Sequence, residues 1–316
     1  MPKDEAELTH ETVLRDEAVR ILEAPSGGLF VDATLGLGGH TEAILEASTD
    51  SRVIGIDQDI EAIAIASKRL KRFGRRVKIV QANFAEVGAT VASAKMGEPN
   101  GIVADLGVSS LQFDSGTRGF SFRFDAPLDM RMDATGGETA AEMLARISEF
   151  EIADLIYRYG EERRSRRIAR RIVEKRESGD PVKTTFELAD LVRRAVPHSQ
   201  KDKIHPATRT FQALRIAVNH ELDVLERFIP DAVDVLKIGG VLAIITFHSL
   251  EDRIVKHAFQ RLAGKCICPP RMPVCNCGAV KRVDILTRKP ILPDAAEIER
   301  NPRSRSAKLR ACRKLL

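Results

Sequence analysis

Residues 29–40 read LFVDATLGLGGH, and this stretch decides the fold. Its first part, residues 29–33, is a short apolar run that is typical of a buried strand. The glycine-rich residues 36–39 predict a tight turn, because glycine lacks a Cβ and tolerates positive φ. A helical stretch follows over residues 40–47. The sequence therefore predicts a strand, a tight turn and a helix in succession.

The same alternation continues on both sides of a long interruption. Short apolar runs alternate with stretches of helical periodicity, and this pattern predicts a parallel sheet with crossover helices. The further predicted strands cover residues 52–56, 77–81, 101–105 and 241–247, and the further predicted helices cover residues 60–70 and 219–236.

The interruption follows Asp105. Residues 115–217 are rich in helix formers and charge, are punctuated by prolines, and offer no good strand candidate. We therefore expect an α/β fold of the Rossmann-like class with an inserted helical domain at the carboxyl end of the fourth strand. The predicted boundaries give a discontinuous α/β domain of residues 1–114 and 218–316 and a helical insertion of residues 115–217.

Composition excludes several classes of protein. The 316 residues are 43% hydrophobic and 30% charged, which is typical of a globular chain and not of a collagenous, disordered or disulfide-scaffold protein. Acidic residues near the start exclude a secretory signal, and no run approaches the roughly 18 apolar residues of a membrane span. We expect a cytoplasmic protein with no membrane partner.

Basic residues are concentrated in two segments, although the net charge is only +5. Residues 158–176 and 300–314 carry clusters of arginine and lysine that are able to neutralise phosphates. A charge run is also the ordinary composition of a solvated helix face. Nucleic-acid binding is therefore one of two interpretations of these segments.

The carboxyl ends of the predicted strands form a candidate ligand site, as is general for open α/β sheets. The glycine turn allows close approach of the backbone to a ligand. Asp57 ends the second strand, where a carboxylate can accept hydrogen bonds from both ribose hydroxyls. Asn83 and Phe84 follow the third strand, and Asp105 closes the fourth. The alternative to ligand contact is that Phe84 is a core residue and that Asp105 is a surface carboxylate without a function.

A glycine turn followed by an acid is shared by NAD sites and S-adenosylmethionine sites. A dinucleotide site has the order G-x-G-x-x-G, with the pyrophosphate at the helix N-terminus. Here Gly36, Gly38 and Gly39 are followed by His40 next to the helix start. The spacing favours a methyltransferase over an NAD-dependent oxidoreductase. A non-catalytic RNA-binding or assembly factor is the alternative from another class, and the intact glycines and strand-end acids argue against it.

Sequence blocks distributed over nearly the whole chain resemble those of the 16S ribosomal RNA (cytosine-N4)-methyltransferase family, the small subunit methyltransferase H group. They occur in the family's order. The blocks are residues 9–14 (THETVL), 36–40 (GLGGH), 105–112 (DLGVSSLQ), 118–122 (RGFSF), 127–133 (PLDMRMD), 159–163 (YGEER), 205–212 (HPATRTFQ), 247–253 (FHSLEDR) and 301–306 (NPRSRS).

This resemblance implies transfer of a methyl group from S-adenosyl-L-methionine to N4 of a cytidine in the decoding centre of 16S ribosomal RNA. The implied partner is the small ribosomal subunit. Many other amino-methyltransferases carry Asp/Asn-Pro-Pro-aromatic after the fourth strand, where residues 105–108 read DLGV. The resemblance also implies a cofactor contact by Gln112; the alternative is that Gln112 is a loop residue without this role. The implied cofactor-binding residues are Gly38, Gly39, His40, Asp57, Phe84, Asp105 and Gln112.

The reaction needs an aligned amine more than a strong nucleophile, because the sulfonium of the methyl donor is already activated. The cytosine amine must lie in line with the methyl carbon and donate a hydrogen bond as it rehybridises. We expect Asp105, or the neighbouring backbone carbonyls, to accept that bond. The base must also be unpaired or flipped. Phe120, Phe122 and Phe124 are candidates for a stacking platform, with core packing of the insertion as the alternative.

Two further groups of residues are left open by the sequence. Cys266, Cys268, Cys275 and Cys277 form two Cys-x-Cys pairs that are able to surround zinc, but structural zinc sites more often have two to four residues within each pair. Reduced cytosolic thiols are a sufficient explanation, so we assign no metal ligand from sequence. His248 follows a strand end, where it either faces the substrate or is a hydrogen-bonded structural histidine.

Overall fold

A computed structural model describes residues 11–107, 116–196, 205–266, 268 and 277–316. The chain divides into two compact units. Unit 1 comprises Met1–Gly107 and Leu222–Leu316, and unit 2 comprises Val108–Glu221. No helix in the described part of the chain is long and apolar enough to span a membrane.

Unit 1 is built around a seven-stranded sheet of order β3-β2-β1-β4-β5-β7-β6. The first five strands in this order are parallel, whereas β7 is antiparallel to both of its neighbours. The strands are β1 (Gly28–Asp32), β2 (Ser51–Asp57), β3 (Val77–Gln81), β4 (Gly101–Asp105), β5 (Val241–Thr246), β6 (Val283–Ile285) and β7 (Lys308–Lys314). This sheet confirms the predicted α/β fold of the Rossmann-like class.

The helices of unit 1 cover both faces of the sheet, because successive side chains of its apolar strands point to opposite sides. Leu29 and Val31 of β1 pack into one core with helices α4, α10 and α11, and Phe30 packs into the other with α1, α2 and α3. The helices are α1 (Arg15–Ile21), α2 (Gly39–Ala47), α3 (Ile60–Leu70), α4 (Val87–Ala94), α10 (Glu221–Val235), α11 (Ser249–Leu262) and α12 (Ala295–Arg300).

The order of the strands positions the candidate site. β1 lies between β2 and β4, so the connections from β1 and from β4 leave the sheet in opposite directions. Such a switch point opens a crevice at the carboxyl ends of the strands, where ligands of open α/β sheets bind. The glycine turn after β1, Asp57 at the end of β2 and Asp105 at the end of β4 all lie at this edge.

The basic segment near residue 310 is a strand, which corrects one sequence-based interpretation. Nε of Arg310 lies 2.6 Å from Asp252 Oδ1, and Nη2 of Arg313 lies 2.7 Å from Glu23 Oε1. Nζ of Lys314 donates to the backbone oxygens of Asp234 and Leu236. The charges of these three side chains are therefore engaged within the fold, which favours a structural role for them.

Unit 2 is helical in its described residues. Its helices are α5 (Ala140–Arg146), α6 (Glu149–Gly160), α7 (Ser165–Glu177), α8 (Thr185–Ala195) and α9 (Ala207–Asn219), and they enclose a core of their own. Capping boxes begin α5 at Thr139 and α6 at Ser148. In each, a hydroxyl and a glutamate satisfy backbone N–H groups that the helix start leaves unpaired.

Several family-like blocks of unit 2 pack against one another. A Cβ on Gly119 would lie 2.4 Å from the carbonyl oxygen of Pro127, so only glycine fits there. A Cβ on Gly160 would lie 2.5 Å from the carbonyl oxygen of Arg209, and Gln212 donates to the oxygen of Tyr159 at 3.0 Å. These blocks therefore have a packing role within unit 2.

Candidate active site

The glycine turn brings backbone to the carboxyl edge of β1. Gly36 and Gly38 have φ of 50° and 83°, in the left-handed region that favours glycine. The N–H of Gly38 donates to the oxygen of Leu35 at 2.7 Å, which closes the turn before α2 begins. A Cβ on Gly39 would lie 1.8 Å from Thr12 Oγ1. The segment before α1 therefore packs directly on the start of α2.

Asp57 is tied to this turn by hydrogen bonds. Its Oδ2 accepts from the N–H of Gly36 at 2.7 Å, and its Oδ1 accepts from the N–H of Asp59 at 2.9 Å. Burial raises the pKa of Asp57 to about 6, against the lowering effect of those two N–H groups. Each carboxylate oxygen has a second lone pair. Asp57 is therefore able to accept two further hydrogen bonds from a diol such as ribose.

His40 and Asp105 form a second polar pair at the same edge. Nε2 of His40 lies 3.6 Å from Oδ2 of Asp105, and His40 is 5% exposed. Burial alone would lower the pKa of His40, but the carboxylates of Asp105 and Asp32 outweigh it and raise the pKa. Thr34 accepts a hydrogen bond from the N–H of Asp105 at 2.6 Å. The Thr34 hydroxyl, just past β1, thus helps to fix the end of β4, where Asp105 lies.

Asp32 and Thr41 belong to this cluster, and sequence reasoning missed both. Thr41 Oγ1 donates to Asp32 Oδ2 at 2.7 Å, and both side chains are buried. Burial raises the pKa of Asp32, while the charge of His40 and the hydroxyl of Thr41 lower it. The signal in the sequence was an acid at the last position of β1, directly before the glycine turn.

Phe84 and Asn83 lie past β3. The Phe84 ring meets Phe228 edge-on, with centroids 5.1 Å apart and an interplanar angle of 81°. Asn83 accepts from the N–H of Ala85 and donates to Gln58 Oε1 at 3.0 Å. One edge of Phe84 therefore packs in the core while part of the ring stays accessible. Gln112 lies outside the described residues.

His248 is a structural histidine in this fold. It is the N-cap of α11, where its Nδ1 accepts from the N–H of Glu251. Glu251 in turn accepts from the N–H groups of Phe247 and His248, at 2.8 Å and 3.2 Å. Of the two interpretations of His248 from the sequence, its contacts in unit 1 support the structural one.

Buried polar atoms without a partner indicate what this edge can bind. Within the described residues, Oδ1 of Asp105 and both ring nitrogens of His40 are buried without a hydrogen-bond partner. Buried polar groups are almost always paired in folded proteins, so such atoms at a crevice point to a polar ligand. The glycine turn supplies close backbone, and Asp57 supplies a diol acceptor.

Comparison with known proteins assigns the family. The model of the MraW methylase family matches residues 7–315. This chain belongs to the MraW methylase family. The methylase is 49% identical over 308 residues to "Ribosomal RNA small subunit methyltransferase H" of Geotalea uraniireducens, with 97% of this chain and 98% of that one covered. It is 50% identical over 308 residues to the protein of the same name from Syntrophus aciditrophicus, with the same coverage.

Among solved structures, the methylase is similar to an rRNA methylase from Streptococcus thermophilus. The two share 11% identity at a TM-score of 0.41, covering 96% of this chain and 94% of that one. The sequence-based family assignment is confirmed, and so is the methyltransferase class with S-adenosylmethionine as cofactor. The cofactor fits the edge described above. Its ribose diol matches the carboxylate of Asp57, and its charged amino-acid end matches the unpaired polar atoms of Asp105 and His40.

Proposed function

We propose that this methylase transfers a methyl group from S-adenosylmethionine to N4 of a cytidine in the decoding centre of 16S ribosomal RNA. The observation that carries the proposal is Asp105, which ends β4 beside His40 and keeps its buried Oδ1 unpaired among the described residues. The relatives named above, about half identical over their full length, are small-subunit ribosomal RNA methyltransferases. A cytoplasmic location is part of the proposal.

The cofactor contacts are proposed for the residues at the carboxyl edge of the sheet. Asp57 accepts the ribose hydroxyls, since its two oxygens each use only one lone pair on backbone N–H groups. Phe84 offers the accessible part of its ring to the adenine. The bound cofactor supplies an electrophilic methyl group on a sulfonium. The full proposed set is Gly38, Gly39, His40, Asp57, Phe84, Asp105 and Gln112.

Asp105 is the proposed acceptor for the target amine. The lone pair of the cytosine amine is delocalised into the ring, so attack requires the nitrogen to rehybridise. A carboxylate that accepts an N–H bond from the amine favours that change and fixes the line of attack. Nε2 of the nearby His40 lies 3.6 Å from Oδ2 of Asp105 and holds the orientation of that carboxylate. His40 is therefore a positioning residue in this proposal.

Unit 2 is the proposed RNA-binding part, and helix α7 with the turn before it carries its main charge. Among the described residues, the exposed side chains of Arg163, Arg164, Arg166 and Arg167 make no ion pair. Unpaired arginines at the start of one helix are available for phosphates, which give sequence-independent affinity. Such remote contacts hold the reacting base in position, and a free nucleoside lacks them.

Of the three phenylalanines that the sequence offered for stacking the target base, one remains a candidate. Phe120 is buried in the core of unit 2, and the ring of Phe122 packs against His205 and Phe211 with centroids 4.7 Å and 4.9 Å away. Phe124 is 53% exposed and stays available for stacking a base. Two of the three phenylalanines therefore follow the alternative of core packing.

The test uses labelled cofactor with small ribosomal subunits or with free cytidine as substrate. After digestion, the label is expected on N4-methylcytidine from the subunits, with very little product from cytidine. Asp105→Asn is expected to abolish N4 label, and calorimetry with S-adenosylmethionine separates loss of transfer from loss of cofactor. Label on a ring carbon or a ribose oxygen, with none on N4, would overturn the proposed target atom. Full activity of Asp105→Asn would remove Asp105 from the acceptor role.

A further inference from the structure

The segment between α11 and β6 carries a cluster of thiols far along the chain from the methyl-transfer residues. The Sγ atoms of Cys266, Cys268 and Cys277 all lie within 4.8 Å of one another. Cys275 is close in the sequence but lies outside the described residues, so the site is defined by the other three. We propose that Cys266, Cys268 and Cys277 bind a structural zinc ion.

The sulfur spacing fits a tetrahedral metal better than a covalent bond. A disulfide places its sulfurs about 2.05 Å apart. Ligands at about 2.3 Å from a tetrahedral zinc lie about 3.8 Å from each other. The Sγ atoms of Cys277 and Cys266 are 3.7 Å apart. The cluster therefore has the dimensions of one face of a zinc–thiolate tetrahedron.

Backbone geometry at the first pair holds the two cysteines close together. The N–H of Cys268 donates to Sγ of Cys266 at 3.4 Å, which is possible because only one residue separates the pair. This hydrogen bond fixes the position of the Cys266 sulfur, which lies within 4.8 Å of the Cys268 sulfur. The short Cys-x-Cys spacing, which argued against zinc at the level of sequence, is thus used by the fold to build this bond.

The described residues of this segment lie at the protein surface, next to its two ends. Its ends are held together by the N–H of Arg282 donating to the oxygen of Leu262 at 2.7 Å, and by the bridge between Ala263 and Lys281. Between these ends, no described residue is buried. Short surface segments with few buried apolar residues are commonly ordered by a bound metal. Three converging thiols supply the metal ligands.

Cys312 provides the matched control. It lies in β7, is fully buried among apolar residues, and its burial raises the pKa of its thiol. It is outside the cluster of converging sulfurs. A cysteine of this kind is inert toward metals in the folded protein.

The test measures metal bound to the full-length chain, purified without nickel affinity and dialysed against metal-free buffer. Elemental analysis is expected to find about one zinc per chain. Cys266→Ser, Cys268→Ser and Cys277→Ser should each reduce zinc to near background, and Cys312→Ala should retain it. Replacement with Co²⁺ should give sulfur-to-metal charge-transfer absorption, which the three serine variants lack.

A measurement on the unaltered chain distinguishes loss of zinc from a folding defect in the serine variants. Zinc release by a mercurial, followed with a colorimetric chelator, should speed protease cleavage within residues 264–281 while S-adenosylmethionine binding is unchanged. Three results would overturn the proposal: metal-free native protein whose cysteines react with a thiol reagent, a peptide map that links Cys266 to Cys277 by a disulfide, or zinc retained in Cys266→Ser.

Discussion

Nε2 of His40 lies 3.6 Å from Oδ2 of Asp105, and the two side chains are 5% and 20% exposed. His40 belongs to the start of α2, which follows the glycine turn, whereas Asp105 ends β4. The pair therefore connects the glycine turn, which is proposed to contact the cofactor, to the group proposed to accept the amine. A change in the charge of either partner is transmitted to the other over this short distance.

The first prediction is a pH-dependent stability that His40 causes. The Asp105 and Asp32 carboxylates raise the pKa of His40 against the lowering effects of burial and of Arg15. A raised pKa stabilises the fold fully below the unfolded value of about 6.5, and this stability is lost as pH rises through the folded pKa. Unfolding in denaturant from roughly pH 6.5 to 9 should show this fall in the unaltered protein and not in His40→Gln. Parallel curves for the two proteins would contradict the assignment.

The second prediction concerns Asp57, whose pKa rises from 3.8 to about 6 on burial. Because the folded state binds this proton more tightly, stability falls as pH rises between about 4 and 6. The loss corresponds to roughly 3 kcal/mol. Asp57→Asn should flatten this part of the pH profile.

The same variant should bind S-adenosylmethionine more weakly by about 1 to 3 kcal/mol, because the amide replaces a charged acceptor of the ribose hydroxyls. Calorimetry at neutral pH measures this loss, and unaltered affinity would remove Asp57 from the cofactor site. The unaltered protein should also bind S-adenosylmethionine in preference to NAD in the same instrument.

The third prediction is a steric coupling between Gly39 and Thr12. An alanine at position 39 would place its Cβ 1.8 Å from Thr12 Oγ1. We expect Gly39→Ala to lower the free energy of unfolding by about 1 to 3 kcal/mol. Thr12→Ala removes the clashing oxygen, so the double variant should recover part of the loss. Gly136→Ala is the control, since its added Cβ meets nothing within 4 Å. Strict additivity of the two changes would exclude the contact.

The fourth prediction concerns the charge of α7. The double variant Arg166→Gln/Arg167→Gln should make RNA binding less dependent on salt. The slope of log affinity against log salt concentration should become shallower by roughly 0.7 to 0.9 for each phosphate that the variant no longer neutralises. Arg171→Gln is the control, because Arg171 already pairs with Glu174 at 2.9 Å. Affinity for S-adenosylmethionine should not change in either variant. An unchanged slope would mean that this helix presents only a solvated face.

The parallel part of the sheet was predictable because its strands are short apolar runs between turn signals. β1, β2, β3, β4 and β5 lie where the alternation placed them. The positions of Asp57 and Asp105 at one edge follow from the same reasoning, since parallel strands end on the same side. Local pattern was sufficient for these features because each lies within one βα unit.

Features that depend on distant partners were missed. β7 contains four basic residues and was interpreted either as a phosphate-binding segment or as a solvated helix face, because its pairing with β5 and β6 leaves no local signature. Asp32 at the end of β1 is hydrogen-bonded to Thr41 in α2, nine positions later. Their pairing depends on how α2 packs against the end of β1, which the local sequence pattern does not show.

The position of β7 between β5 and β6 also affects how the chain folds as it is synthesised. β5 receives its antiparallel neighbour only when residues 308–314 have been made, and β4 receives β5 only after the whole of unit 2. Unit 2 is continuous and rich in local helical contacts, so it is free to fold first. Until β7 arrives, the nascent sheet carries an apolar open edge at β5, a template for pairing with other chains. Ribosome stalling before residue 308 would therefore yield aggregation-prone chains in place of partly active ones.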